Sequence, residues 1–202
     1  MIIELLGLSG VKIQTNNSVV LLSPQSENSE LKASRLKADC VVLGCPEDKI
    51  NVEPREEKMF LIDSAGEYET NGIFVYCVSN PSKGKSESLM SLIKTEGISI
   101  AHLCSLGHEL SKEAMELFEG ADVLIIPVGG KNVLDAKRAK AIVDQIEPRI
   151  VIPMHFAKEG LKIAYDEPEK FFKEIGISPQ KQDKAKISKK DLPQETMEVI
   201  YI

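Results

Sequence analysis

The chain has 202 residues, of which 43% are hydrophobic and only 5% aromatic, with no Trp. That supports a sizeable core, and the core must be aliphatic. The formal net charge of −6 argues against nucleic acid as a partner, because phosphate contacts need a basic face.

Residues 1–22 carry three short apolar runs, Ile2–Leu6, Val11–Ile13 and Val19–Leu22. Gly7, Ser9, Gly10 and then Asn16-Asn17 separate them, a pattern that predicts an antiparallel meander. Ser23–Lys37 is polar and reads as a loop. Cys40–Leu43 is a short buried strand that runs into a turn crowded with Cys45, Glu47, Asp48 and Lys49. Polar turns at strand ends are where α/β folds place their chemistry. Pro54–Lys58 reads as a charged connector and Met59–Ile62 as a strand. Glu67 and Tyr68 fall in a strand-end turn, Ile73–Val78 forms a strand, and Asn80–Lys85 is a surface loop. Leu89–Ile93 and Ile98–Leu103 are strands joined at Gly97.

From there the period changes. Ser111 is a good N-cap, with Leu110 and Met115 placed as a hydrophobic staple, for a helix that ends at Gly120. Val123–Ile126 is a continuous apolar run, as in a strand buried on both faces, and it ends in Pro127-Val-Gly-Gly. Ala139, Ile142, Val143 and Ile146 recur at helical spacing until Pro148 stops them. Ile150–Ile152 is another buried strand. Asp166 and Glu169 are placed to cap a third helix over Phe171, Phe172 and Ile175, which Gly176 ends. Met197–Ile202 closes the chain as a strand. Strands in the first half and alternating helix and strand in the second predict one domain over residues 1–202, two layered sheets covered by helices.

Cys40, Cys45, Cys77 and Cys104 are far apart in sequence and read as reduced thiols. No run approaches the ~20 apolar residues of a membrane span. Glu4 interrupts the first apolar run, which lacks the basic start of a signal peptide. A cytoplasmic protein without membrane contact is expected. The basic run Lys181–Lys190 reads as a solvated face or loop, with a binding tail as the alternative.

Several landmarks occur in a specific order: Ile100-Ala-His-Leu-Cys-Ser-Leu-Gly-His108, Ala121-Asp-Val-Leu-Ile-Ile-Pro-Val-Gly-Gly130 and Pro148-Arg-Ile-Val-Ile-Pro-Met-His155, with Gly66-Glu-Tyr-Glu69 before them and Leu192-Pro193 after. Together they resemble the metallo-β-lactamase superfamily. They look most like the branch of small zinc-dependent hydrolases related to ascorbate-6-phosphate lactonase. The resemblance implies an α/β fold, an αββα sandwich of two mixed sheets flanked by helices, with the site where strand-end loops converge.

That family's chemistry rests on metals, bound through a His-x-His-x-Asp-His motif after a strand like Cys40–Leu43 and through further ligands at later strand ends. Here Gly-Cys-Pro-Glu-Asp-Lys follows Leu43. Matched without a gap, Cys45 and Glu47 take the first two histidine positions, and Lys49 and Ile50 the final Asp-His. Matched with one deletion, Asp48 takes the aspartate position and Lys49 the histidine. Both matches remain open. Lys49 adds a cation where a divalent metal would sit. The next ligand histidine would fall near Ser79-Asn80-Pro81, and the bridging aspartate corresponds to Cys104-Ser105. His155 alone keeps the family's residue type.

The expected pocket therefore comprises Cys45, Glu47, Asp48, Lys49, Ser105, His108 and His155, with no metal or other cofactor. His108 lines that pocket or pins its own loop. His102 lies inside a strand pattern and reads as structural. Glu67, Tyr68 and His108 are the candidates for acid–base work, though a Gly-Glu-Tyr turn also suits a purely structural role. Cys45 next to Pro46 is an unspecific candidate nucleophile. Gly129-Gly130 fits either an anion-binding turn or a turn that needs positive φ. The leading expectation is a non-catalytic ligand-binding or assembly protein on a hydrolase scaffold, with a small-molecule or protein partner or a homo-oligomer. The alternative is a hydrolase of a small ester, lactone or phosphorylated metabolite. It would hold zinc or another divalent metal on Cys45, Glu47, Cys104 and His155.

Overall fold

The computed structural model describes residues 1–27, 29–31, 35–45, 48–80 and 88–202. The first half gives strands β1 (Ile2–Leu6), β2 (Gly10–Gln14), β3 (Val19–Leu22), β4 (Leu36–Ala38), β5 (Cys40–Val42), β6 (Val52–Pro54), β7 (Phe60–Ile62), β8 (Gly66–Thr70), β9 (Ile73–Asn80), β10 (Ser88–Thr95) and β11 (Ile98–His102). The second half gives α1 (Lys112–Phe118), β12 (Val123–Pro127), α2 (Ala136–Ile146), β13 (Ile150–Met154), α3 (Glu169–Ile175), β14 (Ala185–Lys186) and β15 (Glu198–Val199).

The strands form two large mixed sheets. One runs β14-β1-β2-β3-β5-β7, the other β15-β13-β12-β11-β10-β9-β8, and β4 and β6 make a separate pair. The aliphatic core lies between the large sheets. Ile3, Ile13, Val20, Val42, Val75, Ile93, Ile100, Ile125 and Ile152 all belong to this inner cluster. The outer face of the seven-stranded sheet is covered by the helices, through Phe118 of α1, Ile142 and Ile146 of α2, and Phe171 of α3. The outer face of the six-stranded sheet packs Leu21, Val41 and Leu43 against Leu36 and Val52 of the short pair and Ile50 and Met59 of its connectors. The α/β sandwich of two mixed sheets stands, with strands rather than a regular helix in that fourth layer among the described residues.

The helices follow their caps. Ser111 accepts the Ala114 amide at 3.2 Å at the start of α1. Asp135 accepts the Arg138 amide at the start of α2. The expected Asp166 cap is not formed: α3 starts at Pro168 without a side-chain cap. Asp166 is engaged elsewhere, its amide on the Gly129 carbonyl and its carboxylate on Lys170. Glu67 and Tyr68 lie within β8, not in a strand-end turn, because β8 pairs with β9 from Gly66↔Cys77 to Thr70↔Ile73. Of the loop expected over Asn80–Lys85, Asn80 ends β9 and the rest lies outside the described residues.

Topology decides where chemistry can gather. β3, β5 and β7 are parallel, and so are β11, β12, β13 and β15. Parallel strands bring their C-terminal ends to one edge, the usual ligand position of α/β sheets. Here that edge carries Ser23, Gly44 and Cys45 from one sheet and Cys104, Ser105 and His155 from the other.

Candidate functional site

The two rims touch at Ser23 and Cys104, where Oγ and Sγ are 3.2 Å apart and both residues are buried. Ser105 Oγ is 3.6 Å from the same sulfur. Gly44 permits this approach. A Cβ there would lie 2.8 Å from Ser23 Oγ and 3.5 Å from Cys104 Sγ. Burial pushes the Cys104 thiol pKa up, with the Ser23 and Ser105 contacts opposing it, so the sulfur stays protonated. A buried, protonated thiol is a poor nucleophile.

Cys45 and Asp48 close a tight turn beside this contact. The Cys45 amide donates to Asp48 Oδ2 at 3.1 Å, and the Asp48 amide donates to the Cys45 carbonyl. Burial raises the Asp48 carboxyl pKa, while the Cys45 amide and the Ser26 hydroxyl lower it. Lys49 is exposed, and its carbonyl accepts the Glu27 amide. Glu47 lies outside the described residues.

His155 follows β13. Its Nδ1 is 2.7 Å from Ser9 Oγ, and its amide donates to the Leu8 carbonyl at 3.0 Å. Its ring meets the Tyr165 ring edge-on at 4.9 Å. His102 Nε2 donates to the Ser9 carbonyl at 2.8 Å. Two of the three histidines thus hold the β1–β2 turn, and His102 has the structural role its strand position suggested. Burial lowers the pKa of each to about 4, so both rings are neutral near pH 7. His155 Nε2 is buried without a hydrogen-bond partner among the described residues, as is Ser91 Oγ.

Left-handed backbone occurs at the same edge. Ser23, Cys104 and His155 have φ of 44°, 48° and 54°. Left-handed backbone at a residue with a Cβ costs roughly 1–2 kcal/mol and collects at functional sites. Asn71, Glu96, Lys131 and Glu147 share this conformation at other turns, so it does not by itself single out the edge.

The remaining candidates lie apart. His108 is exposed ahead of α1, with Nδ1 2.8 Å from the Glu109 carbonyl, an interaction that ties down its own loop. Tyr68 Oη is hydrogen-bonded to Ser64 through Oγ at 3.0 Å and the carbonyl at 3.1 Å, and its ring meets Phe60 edge-on. Glu67 is exposed on the same edge strand. These contacts tie Tyr68 to Ser64 and Phe60. At Gly129 a Cβ would lie 2.2 Å from the His155 carbonyl oxygen. The Gly130 amide donates to the Leu134 carbonyl, and the residue has φ of 67°. Close approach and positive φ explain this turn without an anion.

A catalytic zinc needs three protein ligands and an open position. Among the described residues no three His, Cys, Asp or Glu side chains gather to hold a cation. The described donors at the edge are the Cys45 and Cys104 thiols, the Asp48 carboxyl, a serine pair and the His155 imidazole, whose Nε2 alone is unpartnered. They do not fit a catalytic metal centre. Of the set Cys45, Glu47, Cys104 and His155, the three described members do not assemble as ligands. Ser9, Ser23 and Tyr165 complete the edge. Sequence reasoning missed them, since Ser9 and Ser23 stand out only as small residues after apolar runs.

The family described as the β-lactamase superfamily domain matches residues 2–155. A protein of Pyrococcus abyssi named a metal-dependent hydrolase is 32% identical over 132 residues, 60% of this chain and 54% of the relative. A Pyrococcus furiosus protein is 42% identical over 62 residues, 30% of this chain and 27% of its own. The chain thus aligns with about half, or less, of these relatives' length. Among solved structures, one described as a candidate Zn-dependent hydrolase of the metallo-β-lactamase superfamily from Thermotoga maritima superposes with a TM-score of 0.82. It is 23% identical, covering 100% of this chain and 98% of that one. A metallo-hydrolase from Ignicoccus hospitalis gives a TM-score of 0.65 at 15% identity, covering 87% and 90%. These superpositions show the fold.

Proposed function

The chain belongs to the β-lactamase superfamily, and on that premise we propose that its strand-end edge is a metal-free ligand-binding or assembly site. The observation that carries this reading is the Cys104–Ser23 contact. Where the family's bridging carboxylate would stand, a buried, protonated thiol shares a 3.2 Å contact with a hydroxyl. A thiol and two hydroxyls stand there in place of a carboxylate, and among the described residues no three His, Cys, Asp or Glu side chains gather beside them, which leaves a divalent cation without a ligand set. A reducing, cytoplasmic compartment fits the four free thiols.

Elemental analysis of protein purified without chelator tests this. The expected result is folded protein with well under one equivalent of zinc, manganese or iron. About one equivalent per chain would overturn it. Self-association is part of the same proposal, and a concentration series in sedimentation velocity reads it directly.

A second reading, a metal-dependent hydrolase of a small ester, lactone or phosphorylated metabolite, draws on the Pyrococcus abyssi relative's name. Its structural support is His155 Nε2, buried and unpartnered. Under that reading His155 would contribute one ligand, and the others would have to come from residues such as Glu47.

A further inference from the structure

A second feature lies one strand away from that edge. Phe156 follows β13 and Tyr201 follows β15, so both leave the C-terminal ends of adjacent parallel strands. Their rings meet edge-on at 5.8 Å, and Phe172 of α3 meets Tyr201 at 5.1 Å. Each of the first two rings carries an ammonium. Lys158 Nζ stands 5.7 Å from the Phe156 centroid, and Lys181 Nζ stands 5.4 Å from the Tyr201 centroid. Ring quadrupoles attract cations and fix where they sit.

Among the described residues these two cations have no ion-pair partner. Nearby, Lys162 reaches Glu30 at 3.7 Å and Lys170 reaches Asp166 at 2.6 Å. No ion pair within 4.0 Å involves Lys158 or Lys181 among the described residues. The Tyr201 phenol pKa is raised by burial and then by the charges of Glu169 and Glu167, neither of which forms an ion pair with either lysine. Lys158 is half-buried, and its pKa is lowered by burial and then by the charge of Lys181. Two like charges that act on one another, one of them partly desolvated, are a pair whose repulsion a bound anion would relieve.

We propose that Lys158 and Lys181, held on the Phe156–Tyr201 ring pair, form a binding site for an anion of phosphate size. The ammonium groups would donate from either side to the anion's oxygens, the point-charge mode by which lysine binds phosphate. The aromatic pair supplies a rigid floor. This places Lys181 in a binding site and separates it from the solvated remainder of the run that it begins. The proposal is independent of whether the neighbouring edge holds a metal.

Thermal unfolding of the full chain in inorganic phosphate and in chloride at equal ionic strength, with calorimetric titration of phosphate, provides the test. The expected result is a higher midpoint in phosphate. Each single variant, Lys158→Gln and Lys181→Gln, should weaken phosphate binding about tenfold or more, the loss of one charge-assisted hydrogen bond. The double Gln variant should show no phosphate response, the double Arg variant should keep it, and Lys190→Gln should leave it unchanged. An absent response in the unaltered chain would overturn the proposal. So would a full response in the double Gln variant, a lost response in the double Arg variant, or a lost response in Lys190→Gln.

Discussion

The interior between the two sheets and the edge where their strands end are made by the same chain segments under different rules. Inside, Ile125 and Ile152 sit side by side on β12 and β13, and Ile100 of β11 belongs to the same buried cluster, all three without exposed surface. The backbone there is regular and every group has a partner in the ladder. Three to five residues further on, the same three segments carry Cys104 and His155 in left-handed conformation and a glycine turn that only a missing Cβ permits. Burial of aliphatic surface drives the fold and does not depend on what stands at the edge. The scaffold can therefore remain intact while the edge changes its chemistry.

The largest expected effect probes the interior. Ile100→Ala should destabilise the chain by about 2–5 kcal/mol in chemical denaturation, while Cys45→Ser should change stability by less than about 0.5 kcal/mol. Similar costs for both would break the comparison, since the edge would then be holding up the fold.

Acid comes next. His102 and His155 have pKa values lowered to about 4 by burial, against 6.5 when exposed. Their contribution to stability is complete above about pH 6.5 and is lost as pH falls toward 4, on the order of 3 kcal/mol for each ring. His102→Gln should reduce the steepness of the stability–pH curve between those limits, read from denaturation midpoints across a pH series. An unchanged slope would show that His102 is not buried as a neutral ring.

Gly129→Ala sharpens the comparison at the junction of the two regions. The added methyl would meet the His155 carbonyl, and the expected cost is roughly 1–3 kcal/mol. A smaller effect is expected at Ser23→Ala, about 1 kcal/mol for the lost contact to Cys104. A gain in stability there would show that the Ser23–Cys104 contact is not favourable.

The fold was legible wherever burial imposes a period. Val123–Ile126 and Ile150–Ile152 are runs that only a two-sided strand requires, and the spacing of Ala139, Ile142, Val143 and Ile146 fits α2 alone. β4, β6 and β8 were not legible. Leu36-Lys-Ala and Val52-Glu-Pro are three residues long, and Gly66-Glu-Tyr-Glu-Thr is a half-exposed edge strand. None of them carries enough apolar surface to leave a signal. At the edge, the departure from the family's ligand pattern was legible at Cys45 and at Cys104-Ser105, because residue type alone records it. The partners Ser9, Ser23 and Tyr165 were not, because they are defined by contacts between strand ends far apart in sequence. Asp166 misled for a similar reason: a tertiary contact to Gly129 took the amide of a residue that local spacing assigned to a cap.

The central claim is that the edge holds a neutral, metal-free cluster around Cys104 and His155. Long-range proton–nitrogen NMR of the histidine rings, recorded before and after addition of one equivalent of zinc, reads this at the atom concerned. The account predicts that the His155 Nε2 resonance keeps its neutral-ring position and does not move. A coordination shift of Nε2 at one equivalent would contradict it.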